Sequence, residues 1–425
     1  MKLIVEKTER ISGECTVPSS KSHTIRGFTF ASLAKGKSKL TNVLESEDTK
    51  ATVDACSALG ADMTKKAKGE FEISGFNGHP KVRETSIYTR NSGTTTNFIA
   101  SVAALANEKI IIDGDDSIRR RPVQPLLLAL RNLGAKAVSI NNNGCPPVAI
   151  QGRMIGGKTT LECKSSQYLS SLLISCPLLE KDTEIEIYDL CELPYIEMTL
   201  KWLDELSIRH DNRDFKKITV FGGQRYSAFE RRIPSDWSSG TFVLVAGAML
   251  GDNVAIKGLD VNDTQADRYV LEHLQKIGSV IETNEREMVV SRSGLNGCEL
   301  DLNSTPDALP AIAVLGCYAE GETVIRNVAH ARIKETDRIR VMTEELSKMG
   351  AKIKETNDGM IIEHSRLKGA ELNGHQDHRV VMALALAGMI AEGRTVIDTA
   401  EAINVTFPDY VQSMVRLGSR MRLEA

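Results

Sequence analysis

Aromatic residues make up only 5% of the 425-residue chain, and there are two tryptophans. A protein that binds nucleic acid by stacking bases needs more. Cationic excess is missing too: 53 Lys and Arg against 56 Asp and Glu leave a net charge of −3, which argues against a generic nucleic-acid binder. Long apolar runs are absent. The longest, around Phe242–Leu250 and Val380–Ala391, fall short of the roughly 20 residues that span a bilayer and read as buried helices. The opening MKLIVEKTER has charges on both sides of a four-residue apolar run, unlike a signal peptide. The eight cysteines include no CxxC pair, so a zinc site or a redox pair is not expected. Cys56, Cys176 and Cys317 sit in apolar helical runs and read as core residues. The expected setting is reducing and cytoplasmic. No GxxxxGK[ST] loop is present.

What the chain has is a long internal period. Six polar clusters each open an apolar helical stretch: Lys21-Ser22, Gly93-Thr94, Ser165-Ser166-Gln167, Ser238-Ser239, Pro306-Asp307 and His378-Arg379. With Ser22, Thr94, Ser166, Ser238, Asp307 and His378 as markers, the steps are 72, 72, 72, 69 and 71 residues. A second series runs in phase, where helices end at Leu59-Gly60, Leu133-Gly134, Leu206-Ser207, Ile277-Gly278, Met349-Gly350 and Leu417-Gly418. A helix start carries unpaired N–H groups and about half a positive charge. Six such starts converging would trap anions.

Each unit reads as two helices and several strands. In the first, helices are expected over Lys21–Ala34 and Asp48–Leu59, followed by strands at Met63–Lys65 and Glu70–Ser74. In the fifth, Ala308–Tyr318 reads as helix and Thr323–Asn327 as strand. Thr336–Met349 then reads as an amphipathic helix with Ile339, Met342, Leu346 and Met349 on one stripe, and a new strand begins at Lys352. Repeats this long are supersecondary modules, longer than the roughly 20–50 residues of solenoid turns. Three modules close more easily than six, so two lobes are expected. The chain is expected to cross between them near 12–20 and near 229–236, where Phe229-Glu230-Arg231-Arg232 reads as an exposed stretch. The lobes would be residues 1–18 with 235–425, and 19–234. A single doubly wound sheet is the competing architecture.

Several segments carry chemistry, each with a plainer alternative. In Arg332-Ile333-Lys334-Glu335-Thr336-Asp337-Arg338, a helix would put Lys334 and Arg338 on one face with Glu335 beside them. That suits an anionic substrate needing a proton moved; a surface salt-bridge ladder is the alternative. Ser19-Ser20-Lys21-Ser22 with Arg26 reads as a phosphate cradle or as a capped surface helix. Asn91-Ser92-Gly93-Thr94 offers backbone N–H groups or a simple N-cap. Arg119-Arg120-Arg121-Pro122 presents guanidinium groups for a carboxylate or phosphate, or a solvated loop. Asp377-His378-Arg379 reads as a ligand site or as a macrodipole-complementing Asp. Asp307 reads as a catalytic carboxylate or a helix-start residue. Their shared phase favours the functional readings. Together Lys21, Arg26, Arg121, Lys334, Arg338 and Arg379 would repel one another without a polyanion, such as two phosphorylated, carboxylated ligands.

With these residues assembled, the chain resembles the enolpyruvyl transferases, most nearly the branch acting on shikimate 3-phosphate. Ser20-Lys21-Ser22 with Arg26, Asn91 to Thr94, Arg121-Pro122, Ser165 to Gln167, Pro306 to Ala308, Arg332 to Arg338, Asp377 to Arg379 and Thr406-Phe407-Pro408-Asp409 stand in family order over essentially the whole length. The resemblance implies an α/β fold: a two-lobed inside-out barrel, each lobe three βαβαββ modules, with helix N-termini facing the inter-lobe cleft. It implies that Lys21, Ser22, Arg26, Ser165, Ser166, Gln167, Tyr195, Asp307 and Lys334 hold shikimate 3-phosphate. Lys21, Gly93, Arg121, Gln167, Arg338 and Arg379 would hold phosphoenolpyruvate. The implied reaction is addition then elimination, with Asp307 serving the attacking hydroxyl, Glu335 the methylene proton and Lys21 the departing phosphate. Closure of the lobes would expel water from the reaction. The resemblance implies no metal or organic cofactor, no membrane or nucleic-acid partner, and a monomer.

Some positions depart from the family pattern. Val405 stands where a lysine is common, Asn97-Phe98 where Arg-Pro is, Arg90 and Ser19 where glycines are, Glu192 where a serine is, and His330 where an asparagine is. Glu192 would repel the shikimate phosphate unless turned away. The nearest rival, the transferase acting on UDP-N-acetylglucosamine, carries a cysteine acid where this chain has Asp116. A non-catalytic relative that only binds phosphorylated metabolites, or one with an altered acceptor, is the other rival; it needs the cations but not Asp307 and Glu335.

Overall fold

The computed structural model describes residues 1–284 and 287–424. Twelve α-helices lie among them. They are α1 (Lys21–Leu33), α2 (Glu47–Ala58), α3 (Gly93–Ala103), α4 (Gln124–Asn132), α5 (Ser166–Ser175), α6 (Leu193–Glu205), α7 (Trp237–Leu250), α8 (Val270–Lys276), α9 (Leu309–Tyr318), α10 (Arg338–Lys348), α11 (His378–Ile390) and α12 (Tyr410–Arg416). The described strands form six four-stranded sheets. The chain divides into two compact units, Met1–Pro18 with Ser235–Ala425, and Ser19–Pro234. Each has a hydrophobic core of its own.

One module shows the construction. Strand Ser86–Tyr88 leads through α3 to Lys109–Asp113, which pairs with it in parallel. After α4, the hairpin Lys136–Ser139 and Val148–Gln151 adds two antiparallel strands. Odd-numbered helices run through the interior of their unit. Every residue of α7 is buried, as are residues 378–389 of α11, which is why these segments are apolar on all sides. Even-numbered helices are amphipathic covers. Each of the six is followed by a residue of positive φ: Gly60, Gly134, Ser207, Gly278, Gly350 and Gly418. Five glycines fill this left-handed position because they lack the Cβ that resists it.

Helix-to-sheet contact in the Met1–Pro18/Ser235–Ala425 unit is close enough to demand glycine. A Cβ on Gly247 would stand 2.2 Å from Val290 Cγ1, and one on Gly388 would stand 2.9 Å from Val5 Cβ. Three modules borrow strands from far along the chain. Gly251–Lys257 pairs in parallel with Ile11–Thr16. Glu230–Arg232 pairs in parallel with Lys37–Thr41, and Lys2–Glu6 lies between Arg394–Ile397 and Arg420–Glu424. The 229–232 stretch, expected as an exposed connector, is therefore partly a strand.

A second expectation is corrected in the fifth module. The helix expected from Thr336 starts at Arg338, because the Asp337 side chain caps it by accepting from the Arg340 N–H. Residues Ala329–Ile333 form a 3-10 turn and Lys334 closes it with ψ −148°. Lys334 and Arg338 thus do not share a helix face.

Candidate active site

The inner helix starts gather within each unit. In Ser19–Pro234, Ser20 caps α1 and its hydroxyl accepts from the His23 N–H. Lys21, the first residue of α1, pairs with Asp48 in the first turn of α2 at 3.3 Å, and both side chains are largely buried. Thr52 of α2 and Thr95 of α3 share a hydrogen bond at 2.7 Å. Gln167 of α5 donates to Thr94 Oγ1 at 3.2 Å and accepts from Asn97 at 2.9 Å. Asn97 also donates to the Gly93 carbonyl, so this departure from the family pattern ties α3 to α5. Gly93 leaves room for Arg121: a Cβ there would sit 2.6 Å from Arg121 Nη1. Arg121 donates to Ser117 Oγ at 3.0 Å.

Arg26 is 3% exposed and bonded only to neutral oxygens among the described residues. Its Nε reaches Thr199 Oγ1, its Nη1 the Ser22 carbonyl, and its Nη2 both Ser170 Oγ and the Tyr195 carbonyl, at 3.0 to 3.3 Å. Burial pushes its pKa down to about 10. Phe98, the second departure in this segment, lies under the guanidinium at 5.2 Å.

At the start of α5, Ser165 caps the helix and Glu192 adds a second acceptor. Glu192 Oε2 takes the Ser166 N–H at 3.1 Å and the Ser166 hydroxyl at 2.8 Å. Glu192 is turned into the helix start, not away from it. Burial and the Glu192 charge together raise the pKa of the Cys163 thiol.

The other unit gathers opposite charges. Arg338, 0% exposed, contacts three carboxylates: Asp307 through Nη1 at 2.6 Å, Glu335 through Nη2 at 2.7 Å, and Asp377 through Nε at 2.8 Å and Nη2 at 3.1 Å. Asp377 also caps α11 by accepting from the Arg379 N–H. Arg379 returns to Asp307 Oδ2 at 2.9 Å; its buried Nε and Nη1 have no hydrogen-bond partner among the described residues. Burial pushes the Asp307 carboxyl up, but Arg379, Arg338 and Lys334 outweigh it and hold it well below the usual range. Asp267, which accepts a hydrogen bond from Ser238 at the start of α7, is raised to about 7 by burial and by the charge of Asp307.

The expected sites therefore fall into two groups: Lys21, Ser22, Arg26, Gly93, Arg121, Ser165, Ser166, Gln167 and Tyr195 in one unit, and Asp307, Lys334, Glu335, Arg338 and Arg379 in the other. The expectation of mutually repelling cations is corrected: Lys21, Arg338 and Arg379 each meet a carboxylate. Sequence reasoning passed over Asp48 and Asp267 as partners, and read Asp377 as part of a ligand site or as a macrodipole-complementing Asp, not as a partner of Arg338. Asp48 lay in plain view behind the Ser46 to Thr49 capping box; Asp267 had no local signal. Val405 lies buried in the 3-10 turn Ala400–Val405. Among the described residues no group of three or more His, Cys, Asp or Glu side chains is placed to hold a metal ion. No helix among them is long and apolar enough to cross a membrane.

Six βαβαββ modules with arginines, hydroxyls and carboxylates at their inner helix starts are the construction of an enolpyruvyl transferase. The sequence pattern described as EPSP synthase (3-phosphoshikimate 1-carboxyvinyltransferase) matches residues 5–414, and the chain belongs to that family. A 3-phosphoshikimate 1-carboxyvinyltransferase of Acetivibrio thermocellus is 48% identical over 417 residues, covering 98% of each chain. One of Ruminiclostridium cellulolyticum is 45% identical over 425 residues, covering 100% of both. The solved EPSP synthase of Acinetobacter baumannii superposes with a TM-score of 0.83 at 26% identity, covering 100% of both chains.

Proposed function

We propose that this protein transfers the enolpyruvyl group of phosphoenolpyruvate to the 5-hydroxyl of shikimate 3-phosphate and releases inorganic phosphate. The full-length family match supports the reaction. The observation that carries it into these residues is the Arg338 knot, where Asp307 and Glu335 bond one buried guanidinium. A sensor of phosphorylated metabolites has no use for two acids there.

In the addition, the acceptor oxygen attacks C2 of phosphoenolpyruvate and its proton passes to Asp307. The methylene carbon takes a proton from Glu335. The tetrahedral intermediate carries both the acceptor ether and the phosphate on C2. In the elimination, the C2–O bond to phosphate breaks, the new methyl returns its proton to Glu335, and the phosphate leaves beside Lys21 with the proton that Asp307 had taken from the acceptor hydroxyl. Asp307 is held ionised and weakly basic by its arginines. An anionic substrate that takes hydrogen bonds from Arg338 and Arg379 competes with Asp307 for them, so the carboxylate regains basicity when substrate is bound. Ser22, Arg26, Ser165, Ser166, Gln167, Tyr195 and Lys334 serve the acceptor. Gly93, Arg121, Gln167, Arg338 and Arg379 serve phosphoenolpyruvate, with Lys21 serving both.

The crossings at Pro18-Ser19 and Pro234-Ser235 serve as the hinge between lobes. A monomer belongs to the same proposal. Free cysteine thiols fit a cytoplasmic setting, and the net charge of −3 fits the absence of nucleic-acid partners. The decisive assay incubates the protein with both substrates and follows phosphate. Release requiring both is expected; no release, or release only when UDP-N-acetylglucosamine replaces the acceptor, would falsify the reading.

A further inference from the structure

We infer that Glu192 is a resident anion in the phosphate seat at the start of α5, and that it sets the affinity for the phosphorylated acceptor by having to yield that seat. The inference rests on the proposed reaction, in which Ser165 and Ser166 receive shikimate 3-phosphate.

Glu192 stands just before α6 with φ +58°, and its side chain makes no capping bond to that helix. It reaches across to α5, where a single oxygen, Oε2, collects both the Ser166 N–H and the Ser166 hydroxyl. The residue is 1% exposed. α5 already has a side-chain cap in Ser165, which accepts from the Gln167 N–H. The carboxylate therefore adds charge where a cap exists. A backbone N–H, a hydroxyl and the positive end of a helix dipole are the donors an incoming phosphate uses.

A second observation marks the same place as built for an anion. Arg26 donates to Ser170, one turn along α5 from Ser166, and to the carbonyl of Tyr195, three residues beyond Glu192. Among the described residues this buried guanidinium meets no carboxylate. Its positive charge lies between the two helices whose starts Glu192 links. A phosphate carrying −1.5 to −2 charges cannot share Ser166 with an ionised carboxylate. Either Glu192 rotates out, or binding carries a repulsion that a serine at this position would not impose.

The test compares shikimate 3-phosphate with unphosphorylated shikimate, each titrated calorimetrically against the wild-type protein, Glu192→Ser and Glu192→Gln. Glu192→Gln retains an oxygen acceptor for Ser166 and loses the charge, so it guards against a misfolded serine variant. Both variants are expected to bind shikimate 3-phosphate at least tenfold more tightly, with shikimate affinity changed less than twofold. Equal or weaker binding of the phosphorylated ligand, or an equal shift for both ligands, overturns the inference and leaves Glu192 as a structural link between helices. The wild-type phosphate-release assay separates the two failures. Release together with unimproved variants removes the role of Glu192 alone; no release and no binding of either acceptor removes the proposed reaction and this inference with it.

Discussion

The two units repeat one module three times each, yet they hold their fully buried arginines in opposite ways. In Ser19–Pro234 the buried Arg26 is surrounded by hydroxyl and carbonyl oxygens, although Lys21 at the start of the same helix meets Asp48. In the other unit Arg338 is enclosed by three carboxylates and Arg379 faces one of them. Neutral dipoles solvate a guanidinium while leaving its charge available to a ligand. Carboxylates cancel the charge and supply groups that accept and return protons. The first arrangement suits gripping an anion, the second suits moving a proton, and one module serves both by changing the residues on its inner helices. The inner helices follow suit: α1, α3 and α5 carry buried Ser and Thr, whereas α7, α9 and α11 are almost wholly apolar beyond their first turn.

The contrast breaks most visibly at the two arginines. Arg338→Met takes the guanidinium from the buried Asp377 and the partly buried Glu335 and leaves Asp307 with Arg379, and a loss of about 3–5 kcal/mol is expected in urea unfolding. Arg26→Met leaves only hydroxyls and carbonyls without a donor, so the same measurement should give about 1–3 kcal/mol. Equal losses would mean that the carboxylates around Arg338 are no more dependent on it than neutral groups are.

Next in size is the proton chemistry. Glu335→Gln keeps a polar partner for Arg338 but has no acidic proton, and kcat is expected to fall on the order of 100-fold or more. Calorimetric affinity for shikimate 3-phosphate should stay within a few-fold of wild type. Unchanged turnover would take Glu335 out of the proton path and leave this unit with a purely structural charge knot.

The smallest effect concerns pH. The folded pKa of Asp267 lies above that of an unfolded aspartate, at about 7. The folded state therefore binds the extra proton more tightly, and the contribution is fully present below about pH 4. It is lost as pH rises through about 7. Thermal melts of the wild type should fall across that window relative to Asp267→Asn, whose own curve should be flatter. Parallel curves would show that Asp267 stays ionised throughout.

Much of this was readable along the chain because it is local. The approximately 70-residue spacing of helix starts, the glycines after the covering helices and the capping residues Ser20, Ser92 and Ser165 depend on neighbours within a turn or two. Spacing failed where a cap competed with periodicity. The stripe from Ile339 to Met349 was visible, but Asp337 decided where the helix began and so removed Lys334 from it. Glu192 was legible as a misplaced charge, while the direction of its side chain was not.

Sequence alone determined the repeated modules, the family and the residue types at each helix start, since caps, turns and amphipathic stripes are encoded by residues a few positions apart. Tertiary structure alone decided which charge neutralises which. Asp307, Glu335 and Asp377 meet on Arg338, Lys21 meets Asp48, and Lys2–Glu6 closes a sheet with strands from the chain's other end. Those pairings come from packing the helices and sheets against one another, and burial then turns each proximity into a strong electrostatic bond or a strong penalty.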